Sequence, residues 1–376
     1  GGSADERAAA VRWYRELLDG FDDVPEAPAT RLLLADLLFE GTEYSAAAVE
    51  YERAAYGYPT NGESARAGYA ALVAYDRAES LSPEGARPAI RGRAVESSLR
   101  FADTFPDSSE VPGVLARTAG TLFDADEGER AAAVAQRVLA LGSRADASQQ
   151  LVAWTVIAHT EFEAARYAEA ERAYGELVAR LPAGDPQQAE AVERRAASVY
   201  RQAEAKQAAG DVTGAVGEFL RVASVAPASP VRATAEFDAA TLLLASQRWD
   251  EAAAVLRDFR LDHPGHALGP EATRKLAVAY LEGGHAREAA VELERVAASD
   301  AESSELRRAS LWQAAELYVE VDDTAAARRV YAEYVARYPE PVGPAIEARH
   351  ELARYAGRAG DEADRHRWLG ELVAAD

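Results

Sequence analysis

Cysteine is absent from the 376 residues. That removes disulfides, thiolate nucleophiles, CxxC metal sites and a lipid-modified cysteine from the chemistry available to the chain. Methionine is absent too, and the opening "GGSADERAAA" has neither a charged leader nor an apolar core of the kind an export signal carries. The sequence is therefore expected to be a processed or cut piece of a longer chain. Lysine occurs only at Lys206 and Lys275, so almost all positive charge is arginine, a bias that fits a GC-rich genome. No stretch approaches the roughly 18 continuous apolar residues of a membrane span, so direct membrane insertion is not expected. Basic charge is also in deficit: Asp and Glu total 63 against 41 Lys and Arg, a net charge of −22. Nucleic acid and anionic lipid surfaces would be repelled over most of such a molecule.

What the chain has in excess is alanine and repetition. "YAEAERAYGELVARLP" at 167–182 returns as "TAAARRVYAEYVARYP" at 324–339, and more loosely as "WDEAAAVLRDFRLDHP" at 249–264. Aligned on their prolines and extended upstream, the phrases share one plan: a helical period with a small central residue, a polar or Gly-containing break, then a second helical period ending at Pro. Each unit reads as a helix–turn–helix.

The centre of the first helix holds Ala35, Ala158, Ala203, Ala240, Ala277 or Ala315, and the start of the second holds Ala47, Ala170, Ala215, Ala252, Ala289 or Ala327. Small residues there let two helix axes approach to about 8–10 Å. Four residues after each member of the second set comes a large one (Tyr51, Tyr174, Phe219, Leu256, Leu293, Tyr331), and three further on Ala54, Leu177, Val222, Phe259, Val296 or Tyr334. Spacing of four and then three keeps all three places on one buried face. Pro59, Pro182, Pro227, Pro264 and Pro339 stop the second helices, since proline lacks the N–H and disfavours helical geometry before it.

This plan resembles the tetratricopeptide repeat, whose signature has small residues at the eighth and twentieth places, a large one at the twenty-fourth and Pro at the thirty-second. Residues 151–182 follow it throughout, with Trp154, Ala158, Tyr167, Ala170, Tyr174 and Pro182 in place. The resemblance implies an all-α fold: a right-handed α-solenoid, the superhelix of antiparallel helix pairs. The expected organisation is an orphan helix (1–25), a repeat (26–62), a long irregular unit with an extra "LSPEG" break (63–110), a degenerate unit (111–146), five repeats (147–185, 186–229, 230–267, 268–302, 303–341) and an atypical terminal unit with a shortened turn (342–376). Ala301 stands where Pro is expected. Second-helix alanines from Ala170 to Ala327 are 45, 37, 37 and 38 residues apart, against about 34 in the standard repeat. Repeats this loose, ending in "FADTFPDS", "FRLDHPGH" or "YVARYPEP", are similar to those of bacterial cell-envelope proteins, such as outer-membrane assembly lipoproteins and the coordinator of the Tol-Pal system.

What the resemblance implies about function is a concave groove, lined by the first helices, that holds a protein or peptide partner. Inward-facing places carried over to this chain are Thr155, His159 and Phe162; Tyr200 and Glu204; Phe237 and Thr241; Arg274; Trp312 and Glu316; and His350. Aromatic and arginine side chains are the usual anchors of recognition surfaces, which singles out Tyr200, Phe237, Arg274 and Trp312. An aromatic at such an amphipathic place serves the core as readily as a ligand.

Other chemistry has little support. His263 and His266 in "HPGH", with His285 one repeat on, lack a fixed ligand geometry and read as solvated loop histidines rather than zinc ligands. The glycines of "LGPEATRK" and "LEGGHAREAA" lack a phosphate-cradling frame. The pairs Asp22/Asp23, Asp322/Asp323 and Asp361/Glu362 read as helix caps. No catalytic residue, metal or cofactor is expected. The expectation is a non-enzymatic scaffold, periplasmic or envelope-associated, with a cytoplasmic adaptor as the alternative location. The rival reading is an assembly unit that self-associates or sheaths a filament, through ends such as "HRWLGELVAAD", where Trp368, Leu369 and Leu372 would be uncovered.

Overall fold

The computed structural model describes residues 4–340 and 342–374. Among them every regular element is a helix, and the chain divides into two compact units, Gly1–Ala191 and Val192–Asp376. The first unit holds α1 (Ala4–Gly20), α2 (Ala27–Glu40), α3 (Tyr44–Tyr56), α4 (Ser64–Leu81), α5 (Arg87–Thr104), α6 (Val111–Asp124), α7 (Gly128–Ala140), α8 (Ala147–Glu163) and α9 (Tyr167–Arg180). The division falls inside α10 (Pro186–Ala208). The second unit continues with α11 (Val212–Val225), α12 (Pro230–Ala245), α13 (Trp249–Asp262), α14 (Gly269–Glu282), α15 (Ala286–Ala298), α16 (Ser304–Glu320), α17 (Thr324–Arg337), α18 (Val342–Arg358) and α19 (Glu362–Ala374). In each unit consecutive helices pack antiparallel across short turns, and α6 also touches α8, as α12 touches α14. This is the order of an α-solenoid.

The alanines explain the pairing. Every one of the twelve named above is at most 3% exposed, so backbone meets backbone at each crossing. The large residues that follow, from Tyr51 to Tyr334, are all buried. Each proline lies two or three residues past the end of its helix.

Eight helix pairs share one turn. A residue in the left-handed region follows the first helix: Thr42 (φ 64°), Asp126, Ala165, Gly210, Gln247, Gly284, Asp322 and Gly360. The N–H of the next residue then reaches back five residues, as from Glu43 to Leu38 O (2.9 Å), Arg166 to Glu161 O (2.9 Å) and Asp323 to Tyr318 O (2.8 Å). This closes the free carbonyls at the helix end. Residues with a Cβ bear about 1–2 kcal/mol of strain in that conformation, and β-branched Thr42 is the least suited of them. Thr42 is exposed, so Thr42→Gly is expected to stabilise the first unit by about 0.5–1 kcal/mol after the extra chain entropy of glycine. A urea melt in which the midpoint fell would show that the threonine is not strained.

Several expectations are corrected. The terminal unit has no shortened turn: Asp361 N–H donates to Ala356 O (2.9 Å) as in the other pairs. Trp368 is buried against α18 and its Nε1 donates to Asp364 (3.1 Å), because the helix turns that ring inward. Asp323 and Asp361 do cap their helices, accepting from Ala326 N (3.1 Å) and Asp364 N (3.0 Å). Asp22 does not; it takes the guanidinium of Arg31 (2.7 Å). His263 and His266 are not solvated, since both are half-buried and His263 Nε2 lies 2.8 Å from the buried Glu236; His285 is exposed, as expected, and sits 2.7 Å from Asp250. In the irregular unit the "LSPEG" break forms a short 3-10 turn, Glu84–Ala86, in place of the shared turn.

Ion pairs in the second unit lower the pKa of two half-buried carboxyls. Burial opposes ionisation of Glu218 and Glu294, yet hydrogen bonds from Lys206 and Arg221, and from Arg329 and Tyr318, hold both carboxyls below the ordinary Glu value of 4.5. A folded-state pKa below the unfolded one gives stability that is full above that unfolded value and lost as pH falls through the folded value. Unfolding of this unit is therefore expected to become easier below about pH 4.5, and Glu294→Gln to flatten that dependence in an acid titration followed by circular dichroism. An unchanged profile would show that Glu294 contributes nothing.

Candidate functional site

All eleven expected groove residues lie on first helices of pairs: three on α8 in the first unit, the others on α10, α12, α14, α16 and α18 in the second. A capping box opens α8, in which Asp146 accepts from Gln149 N–H (2.9 Å) and the Gln149 side chain takes the Asp146 N–H (2.9 Å). Along that helix Thr155 is exposed, with its hydroxyl returned to Leu151 O (2.9 Å). His159 is half-buried between Phe123 and Tyr174, with ring centroids 5.9 and 5.5 Å away and Nδ1 3.1 Å from the Tyr174 hydroxyl. Phe162 meets Tyr167 and Tyr174 edge-on. Thr155, His159 and Tyr174 line a cavity of ≈ 100 Å³ floored by Leu177, Leu181 and Ala191.

In the second unit the equivalent places diverge. Tyr200 is half-buried; its ring meets Phe219 at 5.2 Å and its hydroxyl donates to Asp238 (2.6 Å), tying α10 to α12. Burial first, and then that carboxylate, pushes the phenol well above its ordinary pKa, so it stays a donor. Glu204 pairs with Arg201 (2.7 Å). Phe237 belongs to the core: it is 8% exposed, packed on Phe259 with Lys275 over its ring at 5.4 Å. Thr241 turns a buried hydroxyl inward without a hydrogen-bond partner. Arg274 is held by Glu302 in the loop before α16. Trp312 is half-buried, edge-on to Tyr331 (5.5 Å) and Tyr334 (5.2 Å), while Glu316 and His350 are exposed.

Three partners escape a reading of the repeat pattern: Asp238 beneath Tyr200, Lys275 over Phe237 and Glu302 on Arg274. All lie a repeat or most of one away from their targets, and only the acidic and basic letters at the neighbouring register could have signalled them. Among the described residues no group of three or more acidic or histidine side chains is arranged to hold a metal, and no helix is long and apolar enough to cross a membrane. What the first helices offer is half-exposed aromatic faces beside fixed donors and acceptors, which suits recognition of another chain.

Residues 309–341, which span most of α16 and α17, match the model of the tetratricopeptide repeat. No curated protein matches the sequence. Among solved structures, the C-terminal part of a repeat-containing protein from Cytophaga hutchinsonii is 15% identical over 69% of this chain and 95% of its own, with a TM-score of 0.28. The TPR2AB domain of yeast Sti1, in complex with an Hsp90 peptide, is 12% identical over 82% and 100%, with a TM-score of 0.33. PilW, a type IV pilus biogenesis factor, is 14% identical over 63% and 97%, with a TM-score of 0.27. Scores of this size carry no argument of their own.

Proposed function

From a chain that carries a tetratricopeptide repeat at residues 309–341, we propose a non-enzymatic scaffold that binds a protein or peptide partner along its first helices. The observation that carries the reading is the state of Tyr200 and Trp312, both half-exposed and both fixed from behind, by Asp238 and Phe219 and by Tyr331 and Tyr334. An anchor whose rotamer is already set loses little entropy on binding. Thr155, His159, Phe162, Glu204, Thr241, Arg274, Glu316 and His350 make up the rest of the proposed contact set, whereas Phe237 supports it from the core. The style of the repeats supports a location in the bacterial periplasm or envelope; recovery in the soluble cytoplasmic fraction of the native cell would point to a cytoplasmic adaptor instead. The net charge of −22 speaks against nucleic acid as the partner.

In-cell photocrosslinking tests the reading. A photoreactive residue at position 200 should capture a distinct protein, and Trp312→Ala should abolish that capture while leaving helicity unchanged. Capture that is indifferent to position 312 would remove the reading. Apolar side chains exposed on α1 and α19 favour a second one, self-association: Trp13 is 58% and Val373 82% exposed. Light scattering decides it, because a mass independent of concentration excludes assembly.

A further inference from the structure

The irregular pair α4/α5 leaves a cleft against α3. It is an open cavity of ≈ 580 Å³, bounded by Val49 and Glu52 of α3, Tyr75 of α4, and Arg93, Ser97 and Arg100 of α5. The last three are spaced by four and then three, so they share one face of their helix. Most of the lining comes from the second helices α3 and α5, and none of the contact residues proposed above borders the cleft.

Its charges are unevenly used. Glu52 already accepts from the Tyr75 hydroxyl (3.2 Å), and Glu96 on the rim accepts from Arg130 (2.7 Å). Among the described residues, Arg93 and Arg100 make no ion pair although the chain carries a large excess of acid. Arg100 is held in place all the same, its guanidinium 4.0 Å above the ring of Tyr56, which stacks on Phe105. Between the two arginines Ser97 is 3% exposed and its hydroxyl has no hydrogen-bond partner. A buried donor left unsatisfied is destabilising, and Ser97 is one of the residues that line the cleft.

We propose that this cleft is a binding site for the carboxylate of an acidic peptide segment, with Arg93 and Arg100 as its charged clamp, Ser97 as an added donor and Val49 receiving a neighbouring apolar side chain. A guanidinium pair matches the planar geometry of a carboxylate. The width of the opening favours a side chain on a polymer over a free small molecule, which a site normally encloses. Long-range repulsion from the acidic chain fades within about 8 Å at physiological salt, so contact-range pairing decides.

The test is fluorescence anisotropy on the full chain with labelled acetyl-Leu-Glu-Leu-Glu-Leu-amide and its twin in which both Glu are Gln. The acidic peptide should bind about tenfold more tightly than its twin, and Arg93→Gln or Arg100→Gln should each erase that difference. Both arginines are exposed, so these variants keep the fold. Ser97→Ala should weaken the acidic peptide yet raise the thermal midpoint, a combination that a purely structural serine would not give. Equal binding of the twin, undiminished binding by the arginine variants, or displacement by free glutarate at the peptide's own concentration would each overturn the proposal.

Discussion

Phe259→Ala is expected to lower the stability of the Val192–Asp376 unit by about 3–5 kcal/mol, the usual cost of truncating a fully buried aromatic. Phe259 is almost wholly buried, and three rings meet it: Phe237 at 5.9 Å, His263 at 5.0 Å and His266 at 5.6 Å. Its loss leaves a void between α12, α13 and α14 that the alanine-spaced backbones cannot close, since Ala240 and Ala252 already hold the helices as near as they can come. The ring also packs beside His263, which reaches Glu236, so the damage extends to a buried carboxylate. In a repeat stack each unit leans only on its neighbours. Hydrogen exchange should therefore show lost protection in α12 to α14 and little change in α18. A urea-melt cost under about 1 kcal/mol would mean that the surrounding helices collapse onto the gap.

Arg31→Ala is expected to cost the first unit about 3 kcal/mol. Arg31 is 8% exposed and serves two acids, donating to Asp22 (2.7 Å) and Glu50 (2.6 Å), and its Nε lies 2.6 Å from the Tyr58 hydroxyl, which itself donates to Asp22. Removing one partner of a buried pair costs about 3–5 kcal/mol because the other charge stays behind; Asp22 is half in water, which puts the value at the lower end. Two further measurements separate charge from packing. Arg31→Met combined with Asp22→Asn and Glu50→Gln should recover most of the loss, as neutralising all members removes the stranded charges. Acid should narrow the gap as well: the Tyr58 hydroxyl, and after it Arg31, hold the Asp22 carboxyl below its ordinary 3.8, so its contribution is full above that pH and lost as pH falls through the lowered value. A triple variant no more stable than Arg31→Ala would show that packing by the arginine stem, rather than charge, sets the cost.

The all-helical pairing was legible in the sequence because a single physical requirement, two backbones in near contact, forces a small residue at fixed places, and alanine recurs there in the six regular pairs, although the terminal pair has Arg365 at the second place. The functional surface was less so. Thr155, Tyr200, Phe237, Arg274 and Trp312 occupy the same register, three residues before the first-helix alanine, and the period assigns them one face. Their fates differ because depth depends on what the adjoining helices supply: Phe259 and Lys275 flank the buried Phe237, whereas Trp312 meets Tyr331 and Tyr334 edge-to-face and stays half-buried. Asp238 beneath Tyr200 comes from the next pair, beyond the reach of any local pattern. The α3–α4–α5 cleft stayed hidden for the opposite reason. It arises where the repeat lapses, and a periodic reading is weakest there.

The left-handed turn has a consequence for how such a chain can change length. In the six regular pairs it lies seven residues after the first alanine and five before the second. One residue inserted or lost there would swing the following helix by about 100° and point its alanine into water. Indels are therefore barred within the pairs that keep this turn and admitted between them, which is where the uneven 45, 37, 37 and 38 residue intervals place them; the α4/α5 pair, with its longer connection, has given the turn up. The spacing from one such pair to the next can therefore lengthen or shorten without unfastening either hairpin.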